Sequence, residues 1–355
     1  VSRVYAASMQ RPLLSNTSGR ISALDSPEAA KEFFSIEENR NLGLMSSHDP
    51  KQLGWTRVSP ESHLPTSRFL RSEGMSTVTL ALTDLEAEPE ILDGAKLVLI
   101  TGHNEYMTTT MFDALREYLW SGGNVANFSG NLAWWQINLV DGTIYQDQVG
   151  HSRSIACEYQ MPEQFKRTGL RDVLGDYVTD SLFGVSYRFA NYPLDYAWTI
   201  PPVELVTEYG IEDVGAIDFS SGEGVRVLQP DHPIFAGIEL GADGRLGVGT
   251  QLLAVELDGV PLQNDGQLDS SFINKFPDGT SVLASARVFV ANLLRHPATR
   301  ESFAGVEEVG ILTEARPFGE ESGAHVVSFG SIGFSNMIAV GDDGAERLLL
   351  NVIRY

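Results

Sequence analysis

The pattern of hydrophobic and polar positions is most regular between Lys96 and Ile137. A continuous apolar run opens this segment, as is typical of a strand buried in a parallel sheet. Apolar residues then recur every four positions over residues 109–120, which predicts an amphipathic helix that ends at a Gly-Gly pair. A second strand is predicted over residues 124–128, after this Gly-Gly pair. The order of strand, helix and strand predicts an α/β fold built on a parallel sheet, with helices on both faces.

Polar residues follow each of these two predicted strands. The first strand leads into the sequence GHNEY, which contains His103, Glu105 and Tyr106, and the second leads into SGN, which ends at Asn131. Because two parallel strands in such a unit end at the same edge of the sheet, the two turns are predicted to lie side by side. Ligands of open α/β sheets bind outside the carboxyl ends of the strands. The sequence therefore predicts a functional site between the two turns.

The side chains of these turns are suited to two kinds of chemistry. The imidazole of His103, the carboxylate of Glu105 and the phenolate of Tyr106 are all able to bind iron or zinc. Without a metal, the same groups form an acid–base set. The structural alternative is that Tyr106 packs beneath the helix while Glu105 favours its first turn through the helix dipole. Asn131 would orient a substrate carbonyl or a water molecule, or else satisfy backbone groups of its turn.

Other reactive residue types give weaker candidate sites. Ser129 lacks the G-x-S-x-G turn that exposes a catalytic serine, and Cys157 lies inside an apparent strand, where a buried structural thiol is expected. His151 and Glu158 follow the second turn, and Glu158 is a further candidate metal ligand if the chain returns to the site. We therefore rank these residues below the two polar turns.

The predicted elements divide the chain into three parts. Residues 1–140 form the first part of the α/β core and contain the candidate site, and within them residues 76–82 have the pattern of another buried strand. Residues 141–278 change to short strand-like runs separated by Gly, Pro and Asp, which predicts a β-rich insertion or subdomain. Residues 279–355 return to α/β character and complete the core, with a closing helix over residues 346–354.

Composition narrows the classes of function. The chain of 355 residues has a formal net charge of −22, which argues against nucleic acids and anionic membranes as partners, because both are polyanions. The single cysteine excludes an internal disulfide and thiolate-rich metal sites, and since it suits a reducing compartment we expect a cytoplasmic protein. Apolar runs reach about five residues, whereas a membrane span needs about 20. No signal peptide is visible, and a chain that begins at Val1 is typical of a processed or truncated product.

Two segments resemble a known family. GHNEYMT and, downstream of it, GGNVANFSGNLAWWQI resemble the large, or β, subunit family of N,N-dimethylformamidase. Weaker similarities, such as DHPIFAGI and AHVVSFGSIGFSNMI, follow in the order expected for that family. The resemblance implies a flavodoxin-like fold related to class I glutamine amidotransferases. It also implies hydrolysis of the C–N bond of a small linear amide, and we expect a second copy or a second subunit as partner.

The resemblance also implies a metal. In that family a mononuclear iron is held by two tyrosines and one glutamate, and the tyrosine of the motif corresponds to Tyr106, so we expect Fe(III), with zinc or no metal as alternatives. The upstream segment SHLPTSRFLRSEG contains no tyrosine, and Glu163 is the nearest match to the glutamate. A site rebuilt from His103, Glu105 or Glu158 would restore metal-assisted amide hydrolysis. The alternatives are a binding or assembly subunit that has lost the metal site, and a metal-free carbohydrate hydrolase that uses paired carboxylates.

Overall fold

The computed structural model describes residues 63–140, 143–145, 178–193, 223–250, 252–253, 256–277, 279–296 and 301–355. Its α-helices are α1 His63–Ser72, α2 Leu82–Ala87, α3 Thr109–Trp120, α4 Val178–Phe183, α5 Gly333–Val340 and α6 Asp343–Arg354. None of these helices is long and apolar enough to cross a membrane. Its strands are β1 Val98–His103, β2 Tyr106–Met107, β3 Asn124–Gly130, β4 Trp135–Gln136, β5 Asn138–Val140, β6 Thr143–Tyr145, β7 Ser186–Pro193, β8 Val225–Val227, β9 Arg245–Leu246, β10 Leu257–Pro261, β11 Ser281–His296, β12 Glu301–Ala315 and β13 His325–Phe329. Short 3-10 helices lie at Pro89–Leu92, Pro233–Phe235, Ala242–Gly244, Ile273–Lys275 and Glu320–Ser322.

Nine of these strands form one curled sheet, in the order β1-β3-β13-β12-β10-β7-β11-β8-β9. Strand β11 also pairs with β12. The pairs β12–β10, β10–β7, β7–β11 and β11–β12 therefore form a closed ring of four strands. Strands β1, β3 and β13 pair in parallel, and the other pairs in this sheet are antiparallel. The sheet is therefore parallel at the β1 end and curls into an antiparallel half-barrel at the other.

The α/β class predicted from the sequence is confirmed, but the sheet is mostly antiparallel. Within the nine-stranded sheet, parallel pairing is limited to β1, β3 and β13, and a flavodoxin-like parallel sheet is not confirmed. The short strands β2 and β4 also pair in parallel, in a separate two-stranded sheet. A buried apolar run indicates that both faces of a strand are covered, but it does not record the direction of the neighbouring strand. The direction is set here by β12, which pairs antiparallel with β13, β10 and β11.

Helix α3 forms as its apolar spacing predicts. It begins after Thr108, whose Oγ1 accepts a hydrogen bond from the backbone N–H of Met111 at 3.1 Å. Leu115 and Leu119, on the same side as Met111, are buried in the core. The chain leaves the helix through Gly122, which has a φ of 91° in the left-handed region that favours glycine. The helix thus connects β1 to its parallel neighbour β3.

Helices cover both faces of the parallel part of the sheet, which confirms that prediction. On one face, Phe128 of β3 and Phe329 of β13 pack into a hydrophobic core that includes residues of α5 and α6. On the other face, Val125 of β3 and Val326 of β13 pack into a second core with α2, α3 and α4. Side chains of a strand alternate between the two faces, so apolar residues of these strands pack against helices on both sides.

One predicted strand is not formed. Residues 76–81 lie outside any strand, and the chain instead enters helix α2 at Leu82. Val78 is 82% exposed, and the hydroxyl of Thr77 accepts a hydrogen bond from the side chain of Arg71 at 2.9 Å. The prediction was wrong because β-branched and apolar residues favour a strand only where a neighbouring strand is available to pair with them.

The middle of the chain contributes to the same sheet as its two ends. Strands β7, β8, β9 and β10 all come from residues 141–278 and are built into the nine-stranded sheet. Much of that region, residues 146–177 and 194–222, lies outside the described residues, so the three-part division of the chain stays a prediction. The closing helix predicted over residues 346–354 is confirmed and begins slightly earlier, as α6.

Candidate metal and acid–base site

The two polar turns lie side by side, as the sequence predicts. Strands β1 and β3 pair in parallel, with His103 opposite Gly130 at their ends. Beyond the strands, the backbone N–H of Ala133 donates a hydrogen bond to the carbonyl oxygen of Asn104 at 2.8 Å. The turn after β1 and the turn after β3 are therefore hydrogen-bonded to each other at the carboxyl edge of the sheet.

His103, Glu105 and Glu256 form a buried cluster at this edge. The Nε2 atom of His103 lies 2.6 Å from Oε2 of Glu256 and 3.4 Å from Oε2 of Glu105. One possible ligand atom from each residue lies within 4.8 Å of the others. All three residues are buried: His103 is 8% exposed, Glu105 3% and Glu256 5%. Carboxylates shielded from water in this way are stable only if a proton or a cation is shared among them.

Glu256 is not among the site residues that the sequence patterns predict. The residue is far from the two turns in the chain, within the sequence AVELDGVP, which was interpreted only as part of a β-rich region. The available signal was the alternation of Glu256 and Asp258 with apolar positions, since Leu257 and Val260 are buried. Charged residues at alternate positions of an otherwise apolar strand are unusual, because carboxylates are almost never fully buried unless they are paired.

Two glycines, at the ends of β3 and β13, allow the backbone at the start of β10 to pack closely against these strand ends. A Cβ atom on Gly130 would lie 2.1 Å from the carbonyl oxygen of Glu256, and one on Gly330 would lie 2.0 Å from the carbonyl oxygen of Asp258. Only glycine fits at such a close approach of two backbones. The backbone N–H of Asp258 also donates to the carbonyl oxygen of Gly330 at 3.0 Å. This packing brings Glu256 to His103.

The carboxyl group of Asp258 links β10 to the second polar turn. Its Oδ1 accepts a hydrogen bond from the backbone N–H of Asn131 at 2.8 Å, and its Oδ2 accepts one from the N–H of Leu132 at 3.0 Å. Burial raises the pKa of Asp258 to about 8, and the two hydrogen bonds oppose this effect. The nearby carboxylates of Glu256 and Asp180 raise the pKa of Asp258 further. The group is therefore one of several acidic side chains crowded together at this edge.

Asn131 has a backbone conformation that few residues other than glycine adopt. Its φ is 54°, in the left-handed region, and the residue is only 2% exposed. The side-chain oxygen Oδ1 has no hydrogen-bond partner among the described residues. Asn131 thus does not use that oxygen to satisfy the backbone of its own turn, which was the structural alternative. Its role in orienting a substrate stays a prediction.

A buried ion pair adds a single cation to this acidic environment. Arg188 on β7 and Asp180 on α4 are each 1% exposed, and Nε of Arg188 lies 3.7 Å from Oδ2 of Asp180. Strand β7 pairs with β10, next to Asp258. Near this edge, the described residues thus include four buried carboxyl groups, those of Glu105, Glu256, Asp258 and Asp180, together with one guanidinium group and one imidazole. The site is electrostatically suited to a cation.

The donor atoms fit iron or zinc, with one restriction. Imidazole and carboxylate groups bind these ions at about 2.0–2.2 Å, so two ligands of one ion are at most about 4.4 Å apart. The 3.4 Å between His103 and Glu105 falls within this limit. The 2.6 Å between Nε2 of His103 and Oε2 of Glu256 is an ion-pair contact, which would have to lengthen if both residues bound one ion. The geometry is therefore compatible with His103 and Glu105 as ligands of one ion, and it places Glu256 in an ion-pair contact with His103.

The other candidate site residues predicted from the sequence lie partly inside and partly outside the described residues. Tyr106 follows Glu105 directly, on β2, and is half-buried, so its role as a metal ligand stays a prediction. The hydroxyl group of Ser129 is buried without a hydrogen-bond partner among the described residues, so no base there activates it as a nucleophile. Four further candidates lie outside the described part of the chain: His151, Cys157, Glu158 and Glu163.

Comparison with known proteins gives one family. The family model described as "N,N-dimethylformamidase beta subunit-like, C-terminal" matches residues 2–346, which include His103, Glu105 and Glu256. A search of curated proteins finds no match to the chain. The family match agrees with the resemblance that the GHNEYMT segment gives, and it extends that resemblance over nearly the whole sequence.

Proposed function

We propose that this chain, which belongs to the N,N-dimethylformamidase beta subunit-like family, is a metal-assisted hydrolase of the C–N bond in small linear amides. The observation that supports this most directly is the buried cluster of His103, Glu105 and Glu256 at the carboxyl edge of the sheet. The cluster combines groups that bind a cation with groups that move a proton, and metal-assisted hydrolysis of an amide uses both.

Glu105 is the residue that we assign to the cation. Tyr106, its neighbour in the chain, is the phenolate ligand that the family resemblance implies, and iron is the ion that it implies. Zinc accepts the same oxygen and nitrogen donors. The cation would supply Lewis acidity that polarises the carbonyl group of the amide. The buried carboxyl groups of Glu105 and Glu256 support a bound cation, because an uncompensated buried charge is costly.

His103 and Glu256 form the acid–base pair of the proposed site. Their 2.6 Å contact allows a proton to pass between the carboxylate and the imidazole. Amide hydrolysis needs a base to take a proton from the attacking water and an acid to deliver one to the departing nitrogen. An imidazole and a carboxylate in such close contact would perform both steps, since the proton taken up by one partner is given up by the other. Asn131, at the adjoining turn, would orient the amide carbonyl.

The binding or assembly subunit is the rival function. The family takes its name from a β subunit, which supports association with a second subunit or with another copy of the chain. A purely structural subunit has no need of a buried imidazole between two buried carboxylates, so the cluster favours the hydrolase. The two functions predict different metal contents, and that quantity can be measured directly.

Elemental analysis of the purified chain, together with an assay for amine release from small linear amides, tests the proposal. We expect about one metal ion per chain and measurable amine release. Glu105→Gln is expected to lose the ion, whereas Glu117→Gln, on the exposed side of α3, is expected to keep it. If the ion is iron, Tyr106→Phe is expected to remove a tyrosinate-to-iron absorption band. A metal-free chain without turnover, purified without chelators, would favour the binding subunit instead.

A further inference from the structure

We infer that Asp258 is a positioning residue, which sets the geometry of the His103–Glu256 pair and of Asn131 by fastening β10 to the turn after β3. The inference rests on the proposed function for the reaction that it assists. Its structural basis is the pair of hydrogen bonds from the backbone N–H groups of Asn131 and Leu132, at 2.8 and 3.0 Å, to the two carboxyl oxygens of Asp258.

Asp258 is well placed to act through other residues rather than as a ligand itself. Each of its carboxyl oxygens accepts a backbone hydrogen bond, and it is not one of the residues in the cluster of His103, Glu105 and Glu256. The residue is 0% exposed, so water does not compete for these hydrogen bonds. Its two bonds therefore hold the turn in one position relative to β10.

The placement of Asp258 on the chain connects this contact to the acid–base pair. Glu256 lies two residues before Asp258, and side chains two positions apart in extended backbone lie on the same side. The backbone of Asp258 is itself held by its hydrogen bond to Gly330, and the carbonyl of Glu256 packs against Gly130. Fastening Asp258 to the turn thus fixes where the carboxylate of Glu256 meets His103.

The same contact holds Asn131 in its unusual conformation. A residue with a φ of 54° is disfavoured unless its surroundings stabilise it, and the hydrogen bond from its N–H to Asp258 does so. Loss of that bond would release both the backbone of Asn131 and the direction of its side-chain amide. One buried carboxyl group therefore positions two parts of the proposed site that are far apart in the sequence.

Asp258→Asn is the variant that tests this inference. An amide keeps one acceptor oxygen but presents an NH2 group to the second backbone N–H, so at least one of the two hydrogen bonds is lost. We expect kcat to fall by about 10- to 100-fold while the metal content stays unchanged, as is typical when a group behind a reactive centre is removed. Hydrogen exchange at the amides of Asn131 and Leu132 is expected to become faster.

A matched control separates positioning from a general loss of stability. The side chain of Asn351 also makes two hydrogen bonds to backbone, donating to the carbonyls of Ile234 and Ala236, both at 2.9 Å, and so fastens α6 to a neighbouring 3-10 helix. Asn351→Ala is expected to lower the melting temperature but to keep the kcat of the wild type.

Three results would overturn the inference. The first is an Asp258→Asn variant whose kcat equals that of the wild type, and the second is an equal loss of kcat in Asn351→Ala. The third is unchanged exchange at the amides of Asn131 and Leu132, which would mean that Asp258 does not hold the turn. A wild-type chain without metal and without turnover would overturn the proposed function and the catalytic part of this inference. The exchange rates would still decide whether the turn is fastened.

Discussion

The Oε2 atom of Glu256 lies 2.6 Å from the Nε2 atom of His103, so a residue next to β10 completes a site that begins at the end of β1. Strand β10 belongs to the antiparallel part of the sheet, whereas β1 and β3 belong to its parallel part. The proposed site therefore lies where the two parts of the sheet meet. This location explains how both a loop after a parallel strand and an antiparallel strand contribute to one cluster.

If Glu256 moves protons and does not bind the cation, Glu256→Gln will keep its metal and lose its turnover. Glutamine has nearly the same shape but cannot accept a proton, and loss of a general base typically reduces kcat by about 10²- to 10⁴-fold. Metal content and kcat are to be measured on the same preparation, with Glu320→Gln on an exposed 3-10 helix as the control. Loss of the metal from Glu256→Gln would instead make Glu256 a ligand and contradict the assignment of roles.

Local patterns correctly predicted that the two polar turns lie side by side. The spacing of Met111, Leu115 and Leu119 predicted α3, and the strand–helix–strand order placed His103 near the turn that contains Asn131. Both predictions depend on residues close together in the chain, where the periodicity of apolar positions and the end of a strand are read directly. The same local reasoning was wrong for residues 76–81, because strand formation depends on a partner strand.

The second half of the site could not be predicted in the same way. Glu256 contacts His103 because the backbone at the start of β10 packs closely against Gly130, at the end of β3, and against Gly330, just after β13. Neither glycine is distinguished in the sequence from the other glycines of the chain. A contact between distant segments follows from the order and direction of strands, and an apolar run in one sequence does not specify either.

The close contact at Gly130 predicts that Gly130→Ala destabilises the protein. The added Cβ would lie 2.1 Å from the carbonyl oxygen of Glu256, so the two backbones must move apart, which typically costs about 1–3 kcal/mol in a packed interior. At Gly241 a Cβ would be 3.4 Å from the nearest atom, so Gly241→Ala is a suitable control with little expected change. Urea unfolding measures both variants. Equal stability of Gly130→Ala and the wild type would rule out the close approach of β10.

The contact of Glu314 with two histidines, His232 and His325, predicts that the stability of the protein depends on pH. Glu314 accepts hydrogen bonds from His325 and His232, with nitrogen–oxygen distances of 2.8 and 2.9 Å. The bond from His325 lowers the pKa of Glu314, burial partly offsets this, and the bond from His232 lowers the pKa further. Because the folded-state pKa is lowered, the stabilisation is present above the unfolded pKa of about 4.3 and is lost as the pH falls through the folded value.

Glu314→Gln is accordingly expected to reduce the free energy of unfolding at pH 7 by about 1–3 kcal/mol, since hydrogen bonds to a charged group are lost. The difference from the wild type is expected to shrink as the pH falls below about 4, because the carboxylate of the wild type is then protonated as well. Unfolding curves at pH 7 and at pH values between 5 and 3 provide the comparison. A difference that stayed constant across this range would exclude the linkage to Glu314.

Asn131→Gly isolates the side chain of Asn131 from the shape of its turn. Glycine adopts the φ of 54° without strain and keeps the backbone N–H that donates to Asp258, so the turn is expected to keep its conformation. Only the side-chain amide, whose oxygen has no partner among the described residues, is removed. If the amide orients the substrate carbonyl, kcat/KM will fall by about 10²-fold or more, the range found when one donor to a developing charge is deleted. Steady-state kinetics beside a thermal melt check this, and full kcat/KM at an unchanged melting temperature would remove Asn131 from the site.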